Sequence, residues 1–372
     1  MALRKIRLGD YIRRSTINNK DLNYSEDLIL GVTSDGIFSK PKGNVVGVDL
    51  QPYKIVHNGA FVYNPSRFDI GSIAYFEDDL CIVSHLYMVF YLNELGNECI
   101  NPYWLYIYLR RKEFQREVRF RNFGSQRPEF NFNDISEIII PLPDLPTQEK
   151  FVKVYLSMLE NQKSYERGLN DLKLVCDAYI EDLRKKIGVE EIGQYLELKR
   201  DKNTDDKIKD VYGVSNTLQF ITASSSVDKE NLTGYKIVSY QDMAYVPTTH
   251  MKIWAAAISD KKDPFVVSPI YEVFGVSNKE KLLPEYLFMW LCREETIRYG
   301  YYNSWGSARE NFVFDDFKTI KMPIPSIDIQ QDIVNIYTVY KQRKQINEQL
   351  KEQIKNICPI LIKGSIEEAK EA

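Results

Sequence analysis

The chain has 372 residues, of which 44% are apolar and 27% charged, and its formal net charge is −3. That length suits about two ordinary globular domains with their own cores, and the composition excludes a disordered or fibrous chain. The slight acidity argues against a uniformly basic nucleic-acid-binding surface, so any phosphate contact has to come from local asymmetry.

The opening residues, Met1-Ala2-Leu3-Arg4-Lys5-Ile6-Arg7, carry charge where a secretory signal needs an apolar stretch, and no window reaches the length of a membrane span. A cytoplasmic protein is the expectation. Cys81, Cys99, Cys176, Cys292 and Cys358 are scattered and odd in number, which fits reduced thiols better than a disulfide framework. With only three histidines and no CxxC or HExxH, no zinc site is expected.

In chain order, residues 54–63 and 81–91 are short β-branched and aromatic runs between Gly, Asn, Asp and Pro, and they predict strands of a small β-rich domain. Pro102 then opens a predicted helix over 103–119. Arg110, Arg111, Lys112, Arg116, Arg119, Arg121 and Arg127 stand there against Glu113 and Glu117, a stretch that is either a basic patch or a solvated helix face.

After Pro141-Leu142-Pro143 the pattern turns helical and holds over 147–187, with Phe151, Tyr155, Met158, Gln162, Tyr165, Leu169, Leu172, Cys176, Tyr179 and Leu183 at alternating spacings of four and three. That is the seam of a coiled coil on a helix roughly 60 Å long, which needs a partner. A second β-rich region follows, then a predicted helix after Pro284, over 284–299. From Ile329 a second seam runs through Ile333, Ile336, Tyr340, Arg343, Ile346, Leu350, Ile354 and Ile357. Pro359 is expected to disturb that helix and 363–372 to be a loose charged tail.

One offset of 182 residues brings the halves into register. Tyr53-Lys54-Ile55-Val56 meets the identical Tyr235-Lys236-Ile237-Val238, and Tyr63 and Pro65 meet Tyr245 and Pro247. After a short slip, 82–90 meets 266–274. Phe123-Gly124-Ser125-Gln126-Arg127 then meets Trp305-Gly306-Ser307-Ala308-Arg309, and Pro141-Leu142-Pro143 with Gln148 meets Pro323-Ile324-Pro325 with Gln330. The expected fold is α+β: two repeated β-rich domains (1–146 and 189–328), each followed by a long helix (147–188 and 329–362). The helices pair as an antiparallel coiled coil and hold the domains apart.

The anchors Tyr-Lys-Ile-Val, Tyr63-Asn64-Pro65 with Arg67, Gly71-Ser72-Ile73-Ala74, the Gly-Ser-x-Arg turn and Ile140-Pro141-Leu142-Pro143 before a long helix resemble type I restriction-modification specificity subunits over nearly the whole chain. The second copy departs at Val246, Thr249 and Ile253-Trp254. The resemblance implies a chain without a catalytic site of its own whose two target-recognition domains each read half of a bipartite, asymmetric target in double-stranded DNA. It further implies docking of two methyltransferase subunits and, in the full complex, two ATP-driven nuclease subunits. S-adenosylmethionine and ATP with magnesium would then belong to those partners.

For DNA contact, loop residues that pair a cation or amide with small neighbours are the candidates, since such groups read base edges and hold phosphates. In the first domain these are Lys40, Lys42, Asn64, Arg67, Ser125, Gln126 and Arg127, and in the second Thr248, Thr249, His250, Lys252, Ser307 and Arg309. The competing structural reading makes the Gly-Ser pairs tight turns and pairs Arg127 and Arg309 with Asp134 and Asp316. Asn101-Pro102-Tyr103-Trp104 and Ser268-Pro269-Ile270-Tyr271 resemble an amino-methyltransferase motif but lack its second proline. They read better as a helix start and a buried strand. No glycine-rich phosphate loop occurs. Two other classes are a relative of a fused methyltransferase-nuclease, which needs full catalytic domains ahead of the first repeat, and a coiled-coil scaffold with two protein-binding domains.

Overall fold

The computed structural model describes residues 3–41, 43–121, 129–215, 217–223, 231–248, 254–306 and 310–371. They form two compact units, Met1–Ser164 with Asn347–Ala372, and Tyr165–Ile346.

In the first unit, strands Ile12–Ser15, Met88–Leu92, Phe61–Tyr63 and Ile73–Tyr75 form an antiparallel sheet in that order, with Tyr63 opposite Ile73 and Met88. Alternation along Phe61–Tyr63 sends side chains to opposite faces. Phe61 and Tyr63 join the larger core with Trp104, Leu105 and Phe114, while Val62 joins Val56, Phe76 and Val89. Lys54–His57 pairs with Leu80–Val83, and Arg4–Arg7 with Ile139–Leu142.

The second unit repeats this plan. Leu196–Lys199, Glu272–Val276, Met243–Tyr245 and Ala256–Ile258 make the equivalent sheet, and Met243 and Tyr245 face one core while Ala244 faces the other. A second sheet is fuller than its counterpart: Phe220–Thr222, Val211–Val214, Phe265–Val267 and Lys236–Val238.

The residues shared by the halves perform the same tasks in each. Lys54 donates to the Tyr87 carbonyl and the Tyr87 hydroxyl accepts from Val32 N at 3.2 Å; Lys236 donates to the Tyr271 carbonyl at 2.6 Å and the Tyr271 hydroxyl accepts from Val214 N at 3.3 Å. Gln148 Oε1 accepts from Asn101 N at 2.8 Å, and its Nε2 donates to the carbonyls of Cys99 and Pro143, both at 2.8 Å. Gln330 does the same to Leu283 N at 2.9 Å and the carbonyls of Lys281 and Pro325 at 2.8 Å. Each glutamine is fully buried and clamps the start of a long helix to the loop before a proline-initiated helix.

Those helices, Leu145–Ile187 and Ile327–Glu371, run antiparallel within each unit. In the first unit Lys150 meets Glu368 at 2.6 Å and Gln162 donates to Asn347 at 3.0 Å. In the second, Gly168 lies against Arg343, and Ile180 and Leu183 share a core with Ile333.

Four expectations are corrected. The helix over 103–119 is two helices, Pro102–Arg110 and Lys112–Arg121, because Arg111 is extended at ψ 147°. Its guanidinium lies over the Tyr108 ring at 3.8 Å, and the equivalent break in the second unit has Arg293 over Trp290 at 5.0 Å. The helix over 284–299 is likewise two, Pro284–Leu291 and Glu294–Tyr302. Ile346 lies outside the seam at 38% exposure; Asn347 takes the buried place because Gln162 satisfies it. The helix continues through Pro359, and 363–371 is docked rather than loose, with Ser365 and Ala369 buried and Ser365 Oγ accepting from Trp104 Nε1 at 3.0 Å. Burial of Leu361 and Ile362 beyond the proline offsets its cost of about 3 kcal/mol.

Candidate nucleic-acid interface

In the first unit, strand Phe61–Tyr63 runs directly into Asn64. Asn64 Oδ1 accepts from Ser66 N at 3.0 Å and caps the short helix Pro65–Ile70, which Gly71 ends at φ 95°, a conformation that suits glycine. The Pro65 carbonyl accepts from Phe130 N at 3.1 Å, so the chain at Phe130 is pinned beside Asn64. The second unit repeats this with Pro247 and Phe312 at 2.8 Å. There Thr248 Oγ1 donates to Asn311 Oδ1 at 2.8 Å, and Asn311 exchanges backbone hydrogen bonds with Trp305 at 3.0 and 2.9 Å. Each unit thus ties the proline of its Tyr-x-Pro to a later phenylalanine, Phe130 or Phe312.

Of the candidates, Lys40 and Arg67 are exposed, while Asn64 and Thr248 are half-buried with the side-chain bonds just given. Asn64 therefore has a structural task whatever else it touches. Lys40 lies on a separate segment, after the hairpin Gly31–Val32 and Phe38–Ser39. Lys42, Ser125, Gln126, Arg127, Thr249, His250, Lys252, Ser307 and Arg309 lie outside the described residues. Asp134, the acid proposed to pair with Arg127, accepts from Asn131 N at 2.7 Å and caps a helical turn.

The basic run divides by task. Arg110 donates to the Gly71 carbonyl at 2.8 Å and Arg111 holds the helix break. Lys112, Arg116, Arg119 and Arg121 remain exposed, with ion pairs of Arg116 to Glu113, Arg119 to Asp69 and Arg121 to Glu117 at 3.3, 3.4 and 2.9 Å. Exposed pairs of this kind contribute roughly 0–1 kcal/mol, so these cations can exchange partners at little cost. Beside them Phe120 is 81% exposed; in the second unit Tyr302 is 79% and Trp305 68% exposed. Periodicity could not find these rings, because an aromatic in an amphipathic helix reads as core.

The motif-like tetrapeptides are used by the fold. Asn101 Oδ1 accepts from Tyr103 N at 3.0 Å and Trp104 N at 3.3 Å, the cap expected of a helix start. Ser268-Pro269-Ile270 is a turn with Ile270 65% exposed, not the buried strand expected, because Tyr271 is drawn back onto Val214. Burial pushes the thiols of Cys81 and Cys292 up to about 12, which keeps them protonated and poor nucleophiles near neutral pH. Among the described residues no group of three or more His, Cys, Asp and Glu is placed to hold a metal, and no helix is long and apolar enough to cross a membrane.

The family described as type I restriction modification DNA specificity domain matches residues 7–172 and again 186–356, and the chain belongs to that family. Its fold is similar to that of the type I restriction-modification S subunit from M. genitalium, at TM-score 0.60 and 12% identity, covering 98% of this chain and 96% of that one. Two other solved chains align over 98% of this one. One comes from a study of complex assembly and conformational transition of the type I R-M system (TM-score 0.49, 14% identity, 97% of that chain), the other is the HsdS subunit from Thermoanaerobacter tengcongensis (TM-score 0.40, 13% identity, 96% of that chain). No curated protein matches the chain.

Proposed function

We propose that this chain reads a bipartite, asymmetric target in double-stranded DNA, one half-site per unit, as the non-catalytic specificity subunit of a type I restriction-modification complex. The observation that carries this reading is that the DNA-specificity family matches the chain twice, once on each of two units with separate cores and shared internal bonds. Variation at the loops on a common scaffold suits two readers of different sequence.

Two methyltransferase subunits would dock on the chain, and two nuclease subunits in the full complex; S-adenosylmethionine, ATP and magnesium would be theirs. The structural tasks of Asn101 and Ser268 support a chain that performs no methyl transfer.

Co-expression with the methyltransferase encoded beside it, followed by long-read mapping of modified adenines, tests the reading. A single bipartite motif is expected, one half of which changes when 53–127 is replaced by the same region of a related chain. Unchanged methylation in the absence of this chain would overturn it.

A further inference from the structure

Helices Lys112–Arg121 and Glu294–Tyr302 occupy equivalent places in the two units, yet few of their residues agree. Even the inward positions have changed, from Phe114 and Val118 to Thr296 and Gly300, all buried. On the outward side three positions keep their chemistry at the 182-residue offset: Glu113 becomes Glu295, Arg116 becomes Arg298 and Phe120 becomes Tyr302, all six exposed, with Glu113 paired to Arg116 at 3.3 Å. Residues four apart lie one turn along the same helix face, so each unit presents a guanidinium and, beside it, a ring. With the rings 81% and 79% exposed, packing within the units does not explain their retention.

The surroundings indicate the ligand. In the first unit Phe120 lies between exposed Arg119 and Arg121 along the chain; in the second, whose helix begins with exposed Glu294 and Glu295, Tyr302 follows exposed Arg298 and is three residues before exposed Trp305. A ring set among cations suits a polyanion with flat faces better than an apolar protein surface.

We propose that Arg116 with Phe120, and Arg298 with Tyr302, form one contact to duplex DNA that the chain uses twice. The guanidinium meets a backbone phosphate, and the ring one turn away packs against the sugars and base edges of adjoining nucleotides. This rests on the DNA-specificity reading and adds to it a contact that positions each unit on the duplex irrespective of sequence.

The test uses the full chain in complex with its methyltransferase, a fluorescent duplex carrying the mapped motif, and a second duplex with that motif scrambled. Phe120→Ala and Tyr302→Ala should each weaken binding to both duplexes, roughly tenfold. Phe120→Tyr and Tyr302→Phe should restore it. Arg116→Gln and Arg298→Gln should weaken both and each lower the salt slope by about one. Alanine variants that bind both duplexes as tightly as the wild type overturn the inference and leave the function standing. So do variants that keep DNA affinity but lose the methyltransferase on co-purification, which would mark the rings as a protein dock. A wild-type complex that binds neither duplex removes both readings together.

Discussion

The two units fill one equivalent space in opposite ways. In the first, Gly71 has no side chain, while Phe114 and Val118 on the neighbouring helix are large. In the second, the place of Gly71 is held by Trp254, since Ala256 stands opposite Tyr245 as Ile73 stands opposite Tyr63, and the helix has retreated to Thr296 and Gly300. The exchange is close-fitting: a Cβ on Gly300 would come within 2.2 Å of Trp254 Nε1, which itself donates to the Thr296 carbonyl at 3.3 Å. A core can change its residues if its volume is kept, which lets a duplicated scaffold diverge without losing its fold.

The largest effect should come from undoing that exchange. Trp254→Gly alone leaves a cavity, and is expected to cost about 3–5 kcal/mol. Gly300→Val alone overpacks and should cost about 1–3 kcal/mol. Combined, they rebuild the first domain's solution, so the double variant should be more stable in urea unfolding than the sum of the singles implies. Additive losses would mean that the two residues are not complementary.

Where the domains agree rather than compensate, equal losses are expected. Gln148→Leu and Gln330→Leu each keep the volume but strip partners from one buried N–H and two carbonyls, on the order of 3 kcal/mol at 1–3 kcal/mol per orphaned group. The same denaturation experiment checks both. A loss confined to one domain would break the equivalence of the clamps.

A local difference comes next in size. The first unit uses the end of the C-terminal helix, through the bond from Trp104 to Ser365. Ser365→Ala leaves the Trp104 N–H buried without that acceptor, and about 1–3 kcal/mol should be lost. Hydrogen exchange should place the loss in residues 102–110 and spare 284–291.

What could be read in the sequence was what repeats. The glutamines, the Tyr-Lys-Ile-Val strands and most of the heptad seam showed because identical neighbours or a fixed period marked them. The break at Arg111 was invisible because an arginine lying over a tyrosine ring is a tertiary contact with no period. The docked tail was missed because its charged residues line the outer face, while Ser365 and Ala369 carry the inner one. The candidate contacts were the least legible. Asn64 has a turn-capping role that its residue type suits as well as base reading, and the exposed rings are the type that pattern assigns to a core.

The smallest predicted difference is also the most discriminating. Tyr63 and Tyr245 are equivalent and fully buried, and burial raises the pKa of both hydroxyls. Tyr245 donates to the Phe312 carbonyl at 3.2 Å, whereas the Tyr63 hydroxyl is buried without a hydrogen-bond partner among the described residues. Tyr245→Phe should therefore lose about 1 kcal/mol, the net value of one such bond. Tyr63→Phe removes a group that is desolvated for no return, so stability should stay the same or rise by up to about 1 kcal/mol. Equal losses at both positions would show that the first domain supplies Tyr63 with an acceptor after all. Opposite signs would establish that the tyrosine is kept in the first domain for its ring, packed in the core against the tilted Phe68 ring at 4.6 Å, and in the second for ring and hydroxyl together.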